Sequence, residues 1–383
     1  MLRWLEHLLG ALLMLLVLLD VFLTVLYARA GTGLISRVHA RWTWRCFRAV
    51  SEPFGRARGL VLSFAGPAIL VSLVLLWMFL LAVGAALIIH PNLGASVRAS
   101  SGETPTSFIT ALYAGGSSVS LVGASNFSPQ TGGFRLLYLF NSIVGTAVTS
   151  LTLTYLMQVY NALQRRNKLG LNLELSSAET GDAAELIAGL GPEGKFDAGY
   201  SDLSEMAGEV AGAKESHHFY PVLFYFRFNE PYYSMSRSTL IALDTVTLIK
   251  SALDDEEYDW LKESAAVAQL WRSSMLLLKT LRDTFLSGNA TGLQAAPDAQ
   301  TLDGWRRRYS AALRRLGQAG LKTRGDEQAG ADLYVSLRAE WDHQVKTLAA
   351  ALAYRVEEID TAGSRPQSAD ERQEFSARLR SAG

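Results

Sequence analysis

The densest group of candidate chemical residues in this chain works through its backbone. The stretch Thr106–Asn126, TSFITALYAGGSSVSLVGASN, opens with a helical pattern over Ser107–Tyr113, turns rich in glycine and serine, and ends past Val122-Gly123. It lies between two uncharged runs, Val61–Ile89 and Leu136–Leu163, each long enough for a membrane-spanning helix. A short helix followed by extended backbone leaves carbonyl oxygens that find no donor in lipid. At membrane depth it is stable only when buried in protein or lining a water-filled path. Rings of carbonyls are also what replaces the water shell of a permeant cation. The chemistry in reach is therefore ion coordination by backbone carbonyls of this stretch.

A second group follows on the next apolar run, where Ser142, Gly145, Thr146 and Thr149 recur at helical spacing. They read as the wall of a hydrated cavity or gate with a flexible point at Gly145. The competing reading is close helix packing, which small residues at four-residue spacing serve in membranes. The remaining candidates are weaker. Asp20 interrupts the first apolar run and must face protein or water; a hydrogen-bonded packing role is favoured over a cation-attracting or proton-sensing one. His217 and His218 are adjacent, so they point to different sides of a helix and make a poor metal pair. Gly189, Gly191 and Gly194 spell G-x-G-x-x-G, but a helical pattern precedes them where a nucleotide site needs a strand. That context implies a glycine-capped helix end and a loop. No nucleophile elbow, P-loop or zinc-protease signature occurs, so no residue supports an enzymatic function or a bound cofactor or metal. The single cysteine, Cys46, excludes an intrachain disulfide framework.

SLVGASNFSP at 120–129 resembles the filter and flank of the potassium-channel family, usually T-V-G-Y-G-D followed by S/T-P. FITALY at 108–113 is similar to that family's pore-helix opening, and Gly145 stands where many members carry a hinge. The resemblance covers residues 60–165. It implies a pore-loop module of two helices with a re-entrant pore helix and filter, four chains around one path, and a permeant monovalent cation, potassium by resemblance. By that resemblance Ser120, Leu121, Val122, Gly123, Ala124, Ser125 and Asn126 are the candidate conduction residues. Val122 and Gly123 match the pattern. Leu121 replaces the threonine, Ala124 the aromatic wedge, Ser125 the second glycine and Asn126 the acid at the mouth. Ser125 carries a Cβ where the family's backbone is left-handed, and Gly115 and Gly116 weaken the pore helix. The departures predict weak ion selectivity, or a membrane sensor or scaffold that keeps the channel fold and does not conduct.

These residues need elements to hold them. The chain is 49% hydrophobic with 19% charged residues, and the two are segregated. Long apolar runs fill the first 163 residues, and most acids follow residue 173. Leu8–Ala28 is long enough to span, although Ala28-Arg29-Ala30 also resembles a signal-peptide cleavage site. Residues 33–59 carry Arg37, Arg41, Arg45 and Arg48 on one helical face and Leu34, Val38 and Trp42 on another, a pattern suited to a helix lying on the acidic inner leaflet. A voltage sensor is the alternative, but the segment is too polar and too short to span. Both this loop and Arg165, Arg166 and Lys168 belong on the cytoplasmic side by the positive-inside rule. The N-terminus is then outside, and the 91–135 segment opens outward, in a plasma (bacterial inner) membrane.

The expected architecture is an all-α membrane protein in five parts. Residues 1–59 hold an N-terminal transmembrane helix and a basic interfacial helix, and 60–165 the pore module. A loop-rich linker follows at 166–215 with one short helix at Asp182–Leu190. A cytoplasmic helical domain occupies 216–360, with helical patterns at Ser238–Ala252, Tyr258–Leu286, Trp305–Leu316 and Ala329–Ile359. The tail, 361–383, reads as disordered. No alternating strand pattern is present. The formal net charge of zero leaves no basic excess for a nucleic-acid partner. Asn289-Ala290-Thr291 is a chance glycosylation match in a cytoplasmic domain. The amphipathic patterns of the second half need partners for their apolar faces, which implies a homo-oligomer, a tetramer by the pore-loop plan.

Overall fold

The computed structural model describes residues 2–27, 33–120, 126–286 and 297–361. The cleavage-site motif at Ala28–Ala30, the conduction residues Leu121–Ser125, the Asn289 motif and the tail after Thr361 lie outside the described residues. The chain divides into two units, Met1–Asn161 with Phe219–Phe226, and Ala162–His218 with Arg227–Gly383. Among the described residues, three helices are long and apolar enough to cross a membrane: Arg3–Leu26, Arg58–Asn92 and Gly132–Ser176.

In the first unit, α1 (Leu2–Val21) runs into a π-helical turn at Phe22–Leu26, and α2 (Ile35–Ser51) is the basic helix. The second span is α3 (Arg58–Ser63) and α4 (Ala65–Ile89). α4 is apolar on every side because it packs against α1 on one face and α5 on another. Met14, Val17 and Val21 of α1 meet Leu73, Trp77, Leu81 and Ala85 of α4 in one cluster. A short antiparallel pair, β1 (Val97–Ala99) with β2 (Phe127–Pro129), brackets α5 (Phe108–Val119). No strand was expected here; three paired residues on each side are too few to show an alternating pattern.

The helix α5 continues well past Tyr113, through both glycines. The expectation that Gly115 and Gly116 weaken it is corrected by its surroundings. A Cβ on Gly115 would lie 2.7 Å from the Ala86 amide nitrogen and 3.1 Å from the Ala82 carbonyl. The glycine lets α5 sit directly on the backbone of α4, and that packing outweighs its poor helix propensity.

The third span, α6 (Gly132–Ser176), is one continuous helix of 45 residues. It is followed by α7 (Ala183–Leu190) and α8 (Gly199–Phe219). The expected loop-rich linker over 166–215 is thus mostly helix, and the division between units falls earlier, between Asn161 and Ala162. Its apolar residues are helix-packing residues: Leu186, Ile187, Leu203, Ala207 and Val210 are all buried.

The second unit is built around α9 (Met235–Ala252), buried along its whole length except at Lys250. Around it stand α10 (Asp255–Lys262), α11 (Ala265–Leu281), α12 (Ala299–Gln318), α13 (Glu327–Ala339), α14 (Asp342–Ala351) and the short α15 (Val356–Ile359). The helix expected over Ser238–Ala252 is present, extended to Met235, and it has no solvent face. Its hydroxyls are satisfied inside the helix, with Thr239, Thr245, Thr247 and Ser251 each donating to the carbonyl four residues back. Its one acid, Asp244, accepts from Tyr334 at 2.7 Å, Arg338 at 3.1 Å and Arg308 at 3.0 Å.

Candidate functional site

The candidate site begins at the N-terminus of α5, where the Ser107 hydroxyl accepts from the Thr110 amide at 3.3 Å. At the other end the Ser120 amide donates to the Gly116 carbonyl at 2.9 Å, and Ser120 itself is extended, with φ −70° and ψ 144°. The helix therefore stops at the first candidate conduction residue. The far end of the stretch is also held. The Asn126 carbonyl accepts from the Ser100 amide at 2.7 Å and from its hydroxyl at 3.0 Å, and the β1–β2 pair begins directly after. The Asn126 side chain is exposed. Leu121, Val122, Gly123, Ala124 and Ser125, between these two anchors, lie outside the described residues.

Two polar residues hold the end of α5 against α6. Asn141, fully buried, donates from Nδ2 to the Ser118 hydroxyl at 2.9 Å, and Ser118 donates to the Gly115 carbonyl at 2.7 Å. Asn141 Oδ1 has no partner among the described residues. The Ser118 hydroxyl is buried within this chain of bonds. Sequence reasoning passed over Asn141. The signal was there: an amide inside an uncharged span needs a named partner.

The four positions chosen on α6 do not share one environment. Gly145 is buried, and a Cβ there would run into the Val119 carbonyl oxygen. Its role in this fold is close approach of α5 and α6; the helix passes through it without a break, so the expected flexible point is not seen. Ser142, Thr146 and Thr149 are exposed on the other side of the helix. Thr146 donates to the Ser142 carbonyl and Thr149 to the Gly145 carbonyl, both at 2.8 Å. The exposed polar row extends further than the sequence reading took it, through Ser150, Thr154 and Gln158.

The other singled-out residues are structural in this geometry. Asp20 is fully buried and accepts from the amides of Leu34 at 2.6 Å, Ile35 at 2.8 Å and Ser36 at 3.1 Å, and from Trp77 Nε1 at 2.8 Å. It caps the N-terminus of α2 from another helix, where a carboxylate also meets the positive end of the helix dipole. His217 donates from Nδ1 to the Ala213 carbonyl at 2.9 Å, and its Nε2 has no partner among the described residues. Burial, with the Arg166 charge adding to it, pushes the imidazole down to about 4. Gly189 lies in the last turn of α7, Gly191 caps that helix, and Gly194 closes the 3-10 turn Pro192–Gly194.

No protein-family model and no solved structure matches the chain. It is similar to an uncharacterized membrane protein of Bacillus subtilis (strain 168), YdjJ, at 22% identity over 247 residues, covering 64% of this chain and 70% of that protein. The likeness agrees with the apolar spans in making this a membrane protein.

Proposed function

We propose that the chain is one subunit of a tetrameric pore-loop channel that passes monovalent cations, potassium among them, with weak selection between potassium and sodium. The observation that carries this reading is α5. It has 12 residues, about 18 Å of helix at 1.5 Å per residue, against a hydrocarbon core of about 30 Å. It is apolar, packs on the spans α4 and α6, and gives way to extended backbone at Ser120. A helix that stops part-way, followed by non-helical backbone, must be enclosed by protein or water.

A contrast between the exposed faces supports several copies around a shared path. On α1 the exposed residues include Trp4, Leu5, Leu8, Leu9, Leu12, Leu15 and Leu19, and on α4 Val71, Leu75 and Phe79. Such faces suit lipid. The exposed face of α6 mixes Phe140, Ile143, Leu153 and Met157 with Ser142, Thr146, Thr149, Ser150, Thr154 and Gln158. That face suits other copies of the chain and the water between them. In this reading the N-terminus is outside and the second unit is cytoplasmic, where it assembles the subunits or acts on the gate through α6.

The experiment is ion flux from purified protein in liposomes, against potassium, sodium and chloride gradients, with the mass of the solubilised complex measured in parallel. Cation flux from a complex of four chains is expected. A four-chain complex without flux would favour the sensor or scaffold reading, and a monodisperse monomer would overturn both.

A further inference from the structure

Left-handed backbone gathers at one contact in the second unit. Among the described residues, the non-glycine residues with positive φ are Ala178 (51°), Glu179 (58°), Glu193 (55°) and Ala353 (58°). Such a conformation costs a residue with a side chain about fivefold to thirtyfold in population. A helix often ends in a single left-handed residue, usually glycine. After α6 two residues with side chains do so in succession, Ala178 and Glu179, and Gly181 follows at 65°. Ala353 opens the segment that carries α15 and runs to Thr361. The Thr361 hydroxyl donates to the Thr180 carbonyl at 2.5 Å, so this segment meets the turn that joins α6 to α7. Strain of this kind persists only where surrounding groups impose it.

Arg237 of the buried helix α9 is one such group. It pairs with Glu174 of α6 at 2.6 Å and donates to the Glu358 carbonyl at 3.2 Å. Gly181 sits against this guanidinium, where a Cβ would lie 2.7 Å from Cζ. Beneath the turn, the buried Arg237 Nε has no partner among the described residues.

The segment after Ala353 is the other. Asp360 pairs with Arg338 at 2.7 Å and Arg308 at 3.4 Å, and Asp182, at the far end of the turn, lies 3.8 Å from Arg308. Both arginines keep other carboxylates without Asp360: Asp244 accepts from each, and Asp342 from Arg338. α15 has four residues, of which Ile359 alone is buried. The segment can therefore lift while the helical core stays closed. Earlier turns of α6 are held separately, with Asn172 donating to Glu209 of α8 at 3.0 Å.

We propose that residues 353–361 are a strap that latches the turn 177–182 in a strained form. Lifting the strap lets Ala178 and Glu179 relax to right-handed backbone and frees the last turn of α6 from Arg237. The stored strain and the unpaired Nε favour release, and the bonds of Thr361, Glu358 and Asp360 oppose it. The end of α6 is thereby a two-state joint. The inference goes beyond the channel reading and does not depend on whether the chain conducts.

Hydrogen–deuterium exchange of the full-length protein in detergent, read as protection by mass spectrometry, tests it. Thr361→Val removes the donor to Thr180 and should lower protection of 174–182 and 355–361 about fivefold, with 238–251 of α9 unchanged. Ala178→Gly with Glu179→Gly removes the strain and should raise protection of 174–182 by about fivefold or more. Combined with Thr361→Val, the glycine pair should restore native protection there. Lower protection from the glycine pair alone would mean right-handed backbone at these positions and overturn the strained joint. Protection of 174–182 unmoved by Thr361→Val would overturn the latch. An equal loss in 238–251 would make the segment part of the core and overturn the proposal as a whole.

Discussion

Replacing Asp20 by asparagine tests whether the acid in the first span is a structural pin or part of an ion path. The carboxylate accepts from five donors, the amides of Leu34, Ile35 and Ser36, the Ser36 hydroxyl at 3.4 Å, and Trp77 Nε1. Both oxygens are used: Oδ1 by Leu34 and Ile35, Oδ2 by Ser36 and Trp77. Asn keeps the shape and one acceptor oxygen, but its amide group then faces two donors. Hydrogen bonds to a charged group contribute about 1.5–3 kcal/mol each, and a buried donor left without a partner costs about 1–3 kcal/mol. Losing the bonds on one side of the carboxylate should therefore cost about 3 kcal/mol, mostly in the junction of α1, α2 and α4. At about 2–4 °C per kcal/mol, that is a fall of about 6–12 °C in the apparent Tm of the detergent-solubilised protein. Tryptophan fluorescence should report it, since Trp77 is one of the donors. Unchanged Tm together with altered cation flux would refute this reasoning and return Asp20 to the conduction path.

Gly145→Ala places a Cβ against the Val119 carbonyl, and such overpacking typically costs about 1–3 kcal/mol; a lower Tm and poor monodispersity are expected, whereas a hinge residue would leave both unchanged. His217 has its folded-state pKa lowered from 6.5 to about 4 by burial, so between these values the unfolded state binds the extra proton and stability rises with pH. Lowering the pH from 6.5 to 5 should cost about 2 kcal/mol, read as a Tm slope that His217→Gln abolishes; an unchanged slope in the variant would assign it to other groups. Asp244→Asn leaves Arg308 and Arg338 without the carboxylate between them, a loss of about 3–5 kcal/mol, and a thermal melt shifted by less than a degree would sink the view of this cluster as a structural core. For the conduction stretch, Ala124→Tyr with Ser125→Gly and Asn126→Asp should raise the potassium-to-sodium permeability ratio in liposomes, and a native protein that already excludes sodium strongly would contradict the argument.

The spans were legible because length and apolarity are local properties, and lipid imposes them without reference to partners. The limits of α5 were not, because Gly115 and Gly116 read as weakening the helix until the backbone of α4 is seen lying against Gly115. The same holds for Gly145, where the family resemblance suggested flexibility and the structure puts a carbonyl oxygen in the way of any side chain. In both cases the glycine answers to another helix, and nothing in the adjacent sequence says so. Asp20 had no visible partner for a related reason: its donors come from the next helix and from Trp77, far along the chain. The full burial of the central helix α9 was not legible, because Ser, Thr and Asp look like surface residues in a periodicity count, while here Thr239, Thr245, Thr247 and Ser251 donate to their own helix and the acid meets two arginines. Pattern reasoning assigns polar residues to water, and this chain buries many of them by satisfying them within itself. The exposed hydroxyls of α6 are the informative exception. Thr146, Thr149 and Thr154 also donate to their own helix, so lipid alone would tolerate them one at a time. An amide at Gln158 continues the row, and it has no comparable backbone refuge. Under the proposed channel reading, other copies of the chain and the water between them complete this face.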